Sequence, residues 1–99
     1  DGEWVDVTAL PEHLVVNVGD MLQRLTNNKL KSTTHRVVNP PQEKWAQPRF
    51  SIPFFLHPIG EMDLSCLPEC INEENPKQFD DITADEYLNQ RLTEIGLKA

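Results

Sequence analysis

Lys31-Ser32-Thr33-Thr34-His35-Arg36-Val37-Val38-Asn39-Pro40-Pro41 and, after a polar loop from Gln42 to Pro48, Arg49-Phe50-Ser51-Ile52-Pro53-Phe54-Phe55-Leu56 form the stretch on which the fold reading turns. From Ser32 to Val38 every residue except Ser32, His35 and Arg36 is β-branched, which predicts a strand. Asn39-Pro40-Pro41 stops it, because proline offers no N–H to a ladder. Arg49 to Leu56 predicts the next strand, with Pro53 placing it at an edge or a bulge, and His57-Pro58 and Gly60 end it. Alternation then sorts the side chains: Thr33, His35 and Val37 share one face, and Thr34, Arg36 and Val38 the other. Arg49 and Ser51 lie together, opposite Phe50 and Ile52.

Towards the N-terminus, Glu3 to Thr8 alternates as a short strand and Pro11 punctuates it. Leu14-Val15-Val16-Asn17-Val18 has the length and branching of a buried strand, closed by Gly19-Asp20. Met21 to Leu25 fits either a strand or one helical turn. Thr26-Asn27-Asn28-Lys29 is a turn in which asparagine tolerates positive φ. Towards the C-terminus, Asp63 to Asp81 carries Pro68, Pro76, many acids and no period, and predicts a surface-wrapping coil. The acids between Glu69 and Asp81 read as a solvated loop. The last element is a helix at about 83–95. Thr83-x-x-Glu86 is a capping box, Ile82 can staple onto Tyr87, Ala84, Leu88, Leu92 and Ile95 make one stripe, and Gly96 suits a left-handed cap.

Four or five strands, a tail and one helix predict a mainly β chain, part of a sandwich or jelly roll. A jelly roll needs about eight strands, so the rest is expected from elsewhere and the chain is read as a piece of something longer. At 99 residues with a net charge of −7, it is at most one domain, and its acidity argues against nucleic-acid or anionic-membrane surfaces. Apolar content of 38% excludes a disordered chain, and no run approaches the roughly 18 apolar residues of a membrane span. No basic region followed by an apolar one marks a targeting signal. The two cysteines, Cys66 and Cys70, make a poor zinc site; they could bridge, but the favoured reading is free thiols of a cytoplasmic protein. Trp4, Trp45 and the four Phe are expected to pack in core and loops.

Chemistry concentrates in few residues. A lone strand histidine such as His35 is either a hydrogen-bonded structural residue or a metal ligand, and both readings stay open on the residues alone. Arg49 offers a planar fork with two parallel donors to a carboxylate, and Ser51 a third hydrogen bond on the same face. Taken alone, that pair also suits a salt bridge to one of the sixteen acids. Ser32 and His35 lie on opposite strand faces, which excludes a nucleophile–base pair. Arg36 faces away from His35 and is read as structural.

The combination is more specific. Asn17-Val18-Gly19-Asp20, Thr26-Asn27, Ser32-Thr33-Thr34-His35-Arg36-Val37 and Arg49-Phe50-Ser51 occur in the order N-x-G-D, T-N, S-x-x-H-R-V and R-x-S. In this the chain resembles the C-terminal half of the core of the non-haem Fe(II) and 2-oxoglutarate dependent oxygenases, in the subgroup of isopenicillin N synthase and the plant hormone oxidases. The resemblance runs from the Trp4 strand to Leu97. It implies a double-stranded β-helix (jelly roll, cupin-like) with a C-terminal α-helix. Residues 1–60 would be the C-terminal half of the oxygenase core, and 61–99 a C-terminal extension.

The family's metal site is a facial triad of two histidines and a carboxylate. By resemblance His35 is its distal iron ligand, while Arg49 and Ser51 grip the far carboxylate of 2-oxoglutarate. The reaction implied couples oxidative decarboxylation of 2-oxoglutarate to oxidation of a small-molecule substrate. The other two ligands come in that family as H-x-D upstream, and no H-x-D occurs here: His13 precedes Leu14-Val15, and His57 precedes Pro58-Ile59. Both are expected at the surface or at strand ends. The isolated chain is therefore expected to be inactive, with the missing N-terminal half of the same protein as its partner. The rival readings are a 2-oxoglutarate-independent oxidase, in which the R-x-S pair holds a substrate carboxylate, and a non-catalytic β-domain.

Overall fold

Of the two readings of Met21 to Leu25, strand or helical turn, the structure takes the helical one. In the computed structural model of the protein, which describes residues 2–99, α1 spans Asp20–Leu25 behind an N-cap at Gly19. Asp20 stands in its first turn and Arg24 in its last, each on the side of the helix dipole that favours its charge. The helix closes with a Schellman motif. Asn27, at φ +49°, donates its N–H to the Arg24 carbonyl at 3.1 Å, and Asn28, at φ +67°, reaches the Gln23 carbonyl at 2.9 Å. Asparagine adopts the left-handed region at less cost than other side chains that bear a Cβ.

Asn27 is also wholly buried. Its amide nitrogen donates to the carbonyls of Cys70 (3.2 Å), Asn75 (3.2 Å) and Pro76 (3.0 Å). Its side-chain oxygen accepts from the Gln78 N–H at 2.9 Å and faces the Cys66 thiol at 3.6 Å. Asn75 returns the grip, donating from Nδ2 to the Asn27 carbonyl at 3.0 Å. A buried amide with every capacity used is strongly specifying, because each unmade bond would leave a desolvated polar group. Around it lie the buried Leu64, Cys66, Cys70 and Ala84. Both cysteines are free thiols. Arg24 completes the packing, its guanidinium 5.1 Å from the Phe79 ring and 5.2 Å from the Tyr87 ring, while Nη2 donates to the Asp80 carbonyl at 2.9 Å.

Helix α2 spans Ala84–Glu94 and begins with the full capping box: the Glu86 N–H reaches the Thr83 hydroxyl, and the Glu86 carboxylate accepts from the Thr83 N–H at 3.0 Å. It ends in a second Schellman motif. Gly96 at φ +78° donates to the Thr93 carbonyl at 3.0 Å, and Leu97 to the Leu92 carbonyl at 2.9 Å. The approach to α2 is tied back by the Leu64 N–H to Ile82 carbonyl and Ala84 N–H to Met62 carbonyl bonds, at 2.8 and 2.9 Å. Gly60 sits so close to the start of α2 that a Cβ there would collide with the Asp85 carboxylate.

Three expectations need correction. The chain is not a mainly β jelly roll: among the described residues there is no sheet, and the one β-bridge joins Asp63 to Thr83. The runs at 3–8, 14–18, 32–38 and 49–56 form no ladder. β-branching and alternation report a preference for extended backbone, whereas a sheet also needs a neighbouring strand to take every second N–H and C=O. These runs do not serve one another. The second correction follows from the first: Trp4, Trp45, Phe50, Phe54 and Phe55 are exposed, not core. Trp4 is partnered by Arg36, whose guanidinium lies 4.4 Å above its ring. The third concerns 63–81, which is aperiodic coil yet holds Leu64, Cys66 and Cys70 at the centre of the core. The radius of gyration, 17.3 Å, exceeds the roughly 13 Å of a compact domain of about this length.

Candidate metal and cosubstrate site

His35 stands in the segment that leaves the α1 turn. Two side chains of that helical end hold the segment's backbone: the Thr26 hydroxyl accepts the Leu30 N–H at 3.1 Å, and Gln23 Oε1 accepts the Ser32 N–H at 2.6 Å. Lys29 ties the same turn across to the Glu69 carbonyl at 3.0 Å. The exposed His35 ring then meets the Thr33 carbonyl through Nδ1 at 3.0 Å. A carbonyl only accepts, so Nδ1 carries the proton in this contact, and in the neutral ring Nε2 keeps its lone pair. That is the arrangement of metal-binding imidazoles, which commonly donate their second nitrogen to a carbonyl or carboxylate.

Arg49 and Ser51 lie in the exposed run between the Gln42–Lys44 turn and Gly60. The ion pairs formed among the described residues are Lys77 with Asp81, and Arg91 with Asp20 and Glu94, so Arg49 is committed to none of them. His13 and His57 are exposed, with the His57 ring 6.0 Å from that of Phe55.

The described residues hold no group of three or more His, Cys, Asp or Glu able to enclose a metal ion. His35 fits one position of an iron site by its tautomer and exposure, and the described residues do not assemble the other two. Two of the open cavities among the described residues adjoin these segments. One, of about 220 Å³, is lined by Val16, Asn17, Val18, Lys31 and Thr33, the last two on the His35 face of their run. The other, of about 310 Å³, is apolar and lies between α1 and residues 56–64. Neither has His35, Arg49 or Ser51 in its wall. The holding residues Gln23, Thr26 and Asn27 were not marked as a group by the sequence; the usable signal was paired asparagines directly after a short helix former.

The family model of the 2OG-Fe(II) oxygenase superfamily matches residues 1–58, which include His35, Arg49 and Ser51. The chain belongs to that superfamily, whose members use Fe(II) as metal and 2-oxoglutarate as cosubstrate. Among its relatives are flavanone 3-dioxygenase 2 of Oryza sativa subsp. japonica, 39% identical over 91% of this chain and 25% of that protein, and the flavonol synthase/flavanone 3-hydroxylase of Solanum tuberosum, 35% identical over 96% and 26%. A crystal structure of a protein from Caulobacter crescentus assigned to the 2OG-Fe(II) oxygenase family superposes with a TM-score of 0.90 and 53% identity, over 95% of this chain and 31% of that one. The chain thus spans about a quarter of the length of these curated relatives and about a third of the solved structure. No helix among the described residues is long and apolar enough to cross a membrane.

Proposed function

We propose that this chain carries one iron ligand and the cosubstrate clamp of an Fe(II)/2-oxoglutarate-dependent dioxygenase that oxidises a small organic molecule. The observation that carries the reading is the family match over 1–58, the stretch containing His35, Arg49 and Ser51. His35 would ligate through Nε2 with its ring held by the Thr33 carbonyl. Arg49, uncommitted to any ion pair formed among the described residues, would bind the distal carboxylate of 2-oxoglutarate with two parallel N–H donors, and Ser51 would add a hydroxyl donor. Iron with 2-oxoglutarate and dioxygen would supply the oxidising power, one oxygen atom going to the succinate formed with loss of carbon dioxide and the other to the substrate. The remaining histidine and carboxylate would come from an N-terminal part of the same protein. On this reading residues 1–60 bear the site, and 61–99 are the extension that carries α2. The free thiols of Cys66 and Cys70 support a cytoplasmic setting.

The reading is tested in the full-length oxygenase by 2-oxoglutarate consumption and succinate release. His35→Ala is expected to abolish turnover and iron binding. Arg49→Lys keeps the charge and loses the fork, so the KM for 2-oxoglutarate should rise about tenfold with the fold intact. Unchanged cosubstrate dependence in Arg49→Lys would overturn the clamp assignment. The 99-residue chain alone should show no turnover with added Fe(II), since on this reading it brings one of the three iron ligands, His35.

A further inference from the structure

Hydrogen bonds, joined through the backbone of Ser32 and Thr33, form a line from α1 to the imidazole. Leu30 and Ser32 belong to no ladder, so their N–H groups depend on side chains, and they find Thr26 Oγ1 and Gln23 Oε1. The Gln23 contact is the shorter at 2.6 Å and reaches furthest along the segment. It fixes the Lys31–Ser32 peptide, just before Thr33, whose carbonyl holds His35 Nδ1 at 3.0 Å. At its other end the line is anchored in the core. Gln23 stands on the last turn of α1, and its own carbonyl accepts from Asn28 in the Schellman closure. Next to Asn28, the buried amide of Asn27 locks that turn to Cys70, Asn75 and Pro76.

We propose that Gln23 is a positioning residue for His35, aligning the imidazole by holding the Ser32 peptide against the end of α1. The proposal rests on the reading of His35 as the iron ligand. Its chemistry is specific. Only an acceptor can serve the Ser32 N–H, so the amide oxygen faces it, and glutamate can replace glutamine there while methionine of similar length cannot. Partners one shell beyond a metal ligand typically change affinity by roughly 10–100-fold, and Gln23 acts one link further out, so about tenfold is expected.

The test uses the full-length oxygenase and anaerobic titration with Fe(II), comparing parent, Gln23→Met, Gln23→Glu and His35→Ala. Amide exchange at Ser32, Leu64 and Ala84 is followed in the same proteins. Gln23→Met should weaken Fe(II) binding about tenfold and speed exchange at Ser32 while Leu64 and Ala84 keep their protection, and Gln23→Glu should restore both. Parent-like affinity in Gln23→Met, with metal lost in His35→Ala, overturns the role of Gln23 and leaves the ligand reading standing. Parent-like affinity in His35→Ala overturns both. Loss of protection at Leu64 and Ala84 in Gln23→Met also overturns the proposal, because Gln23 would then be a general structural residue.

Discussion

Residues 19–30 with 60–97 and residues 2–18 with 31–59 are built from similar material and end in opposite states. The second set holds most of the branched and aromatic side chains, including Phe50, Phe54, Phe55, Val37 and Val38, yet all five are exposed. The first set holds every buried apolar residue, although much of it is acidic coil. The difference is in the backbone. In the first set two Schellman motifs, a capping box and the Asn27 amide satisfy the polar groups that burial would otherwise strand. In the second, the strand-like runs pair with no neighbouring strand among the described residues, and their large apolar side chains stay exposed. Apolar content is necessary for a core, and hydrogen-bond closure decides where one forms.

The sharpest way to break that comparison is at its buried polar centre. Asn27→Leu leaves the carbonyls of Cys70, Asn75 and Pro76 and the Gln78 N–H without their partner, and puts a leucine at φ +49°. At about 1–3 kcal/mol for each stranded group, shared in part by Asn75, a loss of about 4 kcal/mol is expected. Urea unfolding followed by the helical circular dichroism signal reads it, and amide exchange within 33–59 should not change. A loss below about 1 kcal/mol would mean that the core does not depend on this amide.

How far the sequence shows this division depends on the range of the interaction. The capping box at Thr83 and Glu86 and the left-handed Gly96 were legible because they are local, set by residues three apart or by one φ angle. The positive φ of the asparagine pair was legible for the same reason. Six residues of α1 are too short for a period to emerge, and that segment read ambiguously. The grip of Asn27 on residues 70–78 joins positions more than forty apart, and nothing local marks it. The four strand-like runs misled for a related reason: strand preference is local and strand pairing is not. His35, Arg49 and Ser51 were found through the order of motifs, whereas the contact of Gln23 with Ser32 has no counterpart in any pattern.

A middle-sized effect sharpens the folded side. Thr83→Ala removes the N-cap of α2 and should cost about 1 kcal/mol at neutral pH. Hydrogen bonds from the Thr83 backbone and hydroxyl hold the Glu86 carboxyl below its usual pKa. A carboxyl whose folded pKa is depressed contributes stability above its unfolded pKa and loses it as pH falls through the folded value. The difference between parent and Thr83→Ala should therefore be full at neutral pH and shrink on the acid side of the glutamate range. Urea titrations at the two pH values measure it; a difference that grows on acidification would contradict the role given to Glu86.

The smallest expected effect is the most telling about the other set. Phe54 is a large aromatic in a run that reads as a strand, and in a packed interior Phe→Ala costs about 3–5 kcal/mol. Here the side chain is 87% exposed, so Phe54→Ala should change stability by less than about 0.5 kcal/mol. The removed ring leaves no cavity, since none of its neighbours Pro53, Phe55 and Leu56 is buried either. A cost above about 1 kcal/mol in urea unfolding would show that the ring is packed in solution, and that 31–59 contributes to the core after all. Hydrophobicity would then have found a partner surface by itself, and the rule drawn from the two regions would be wrong.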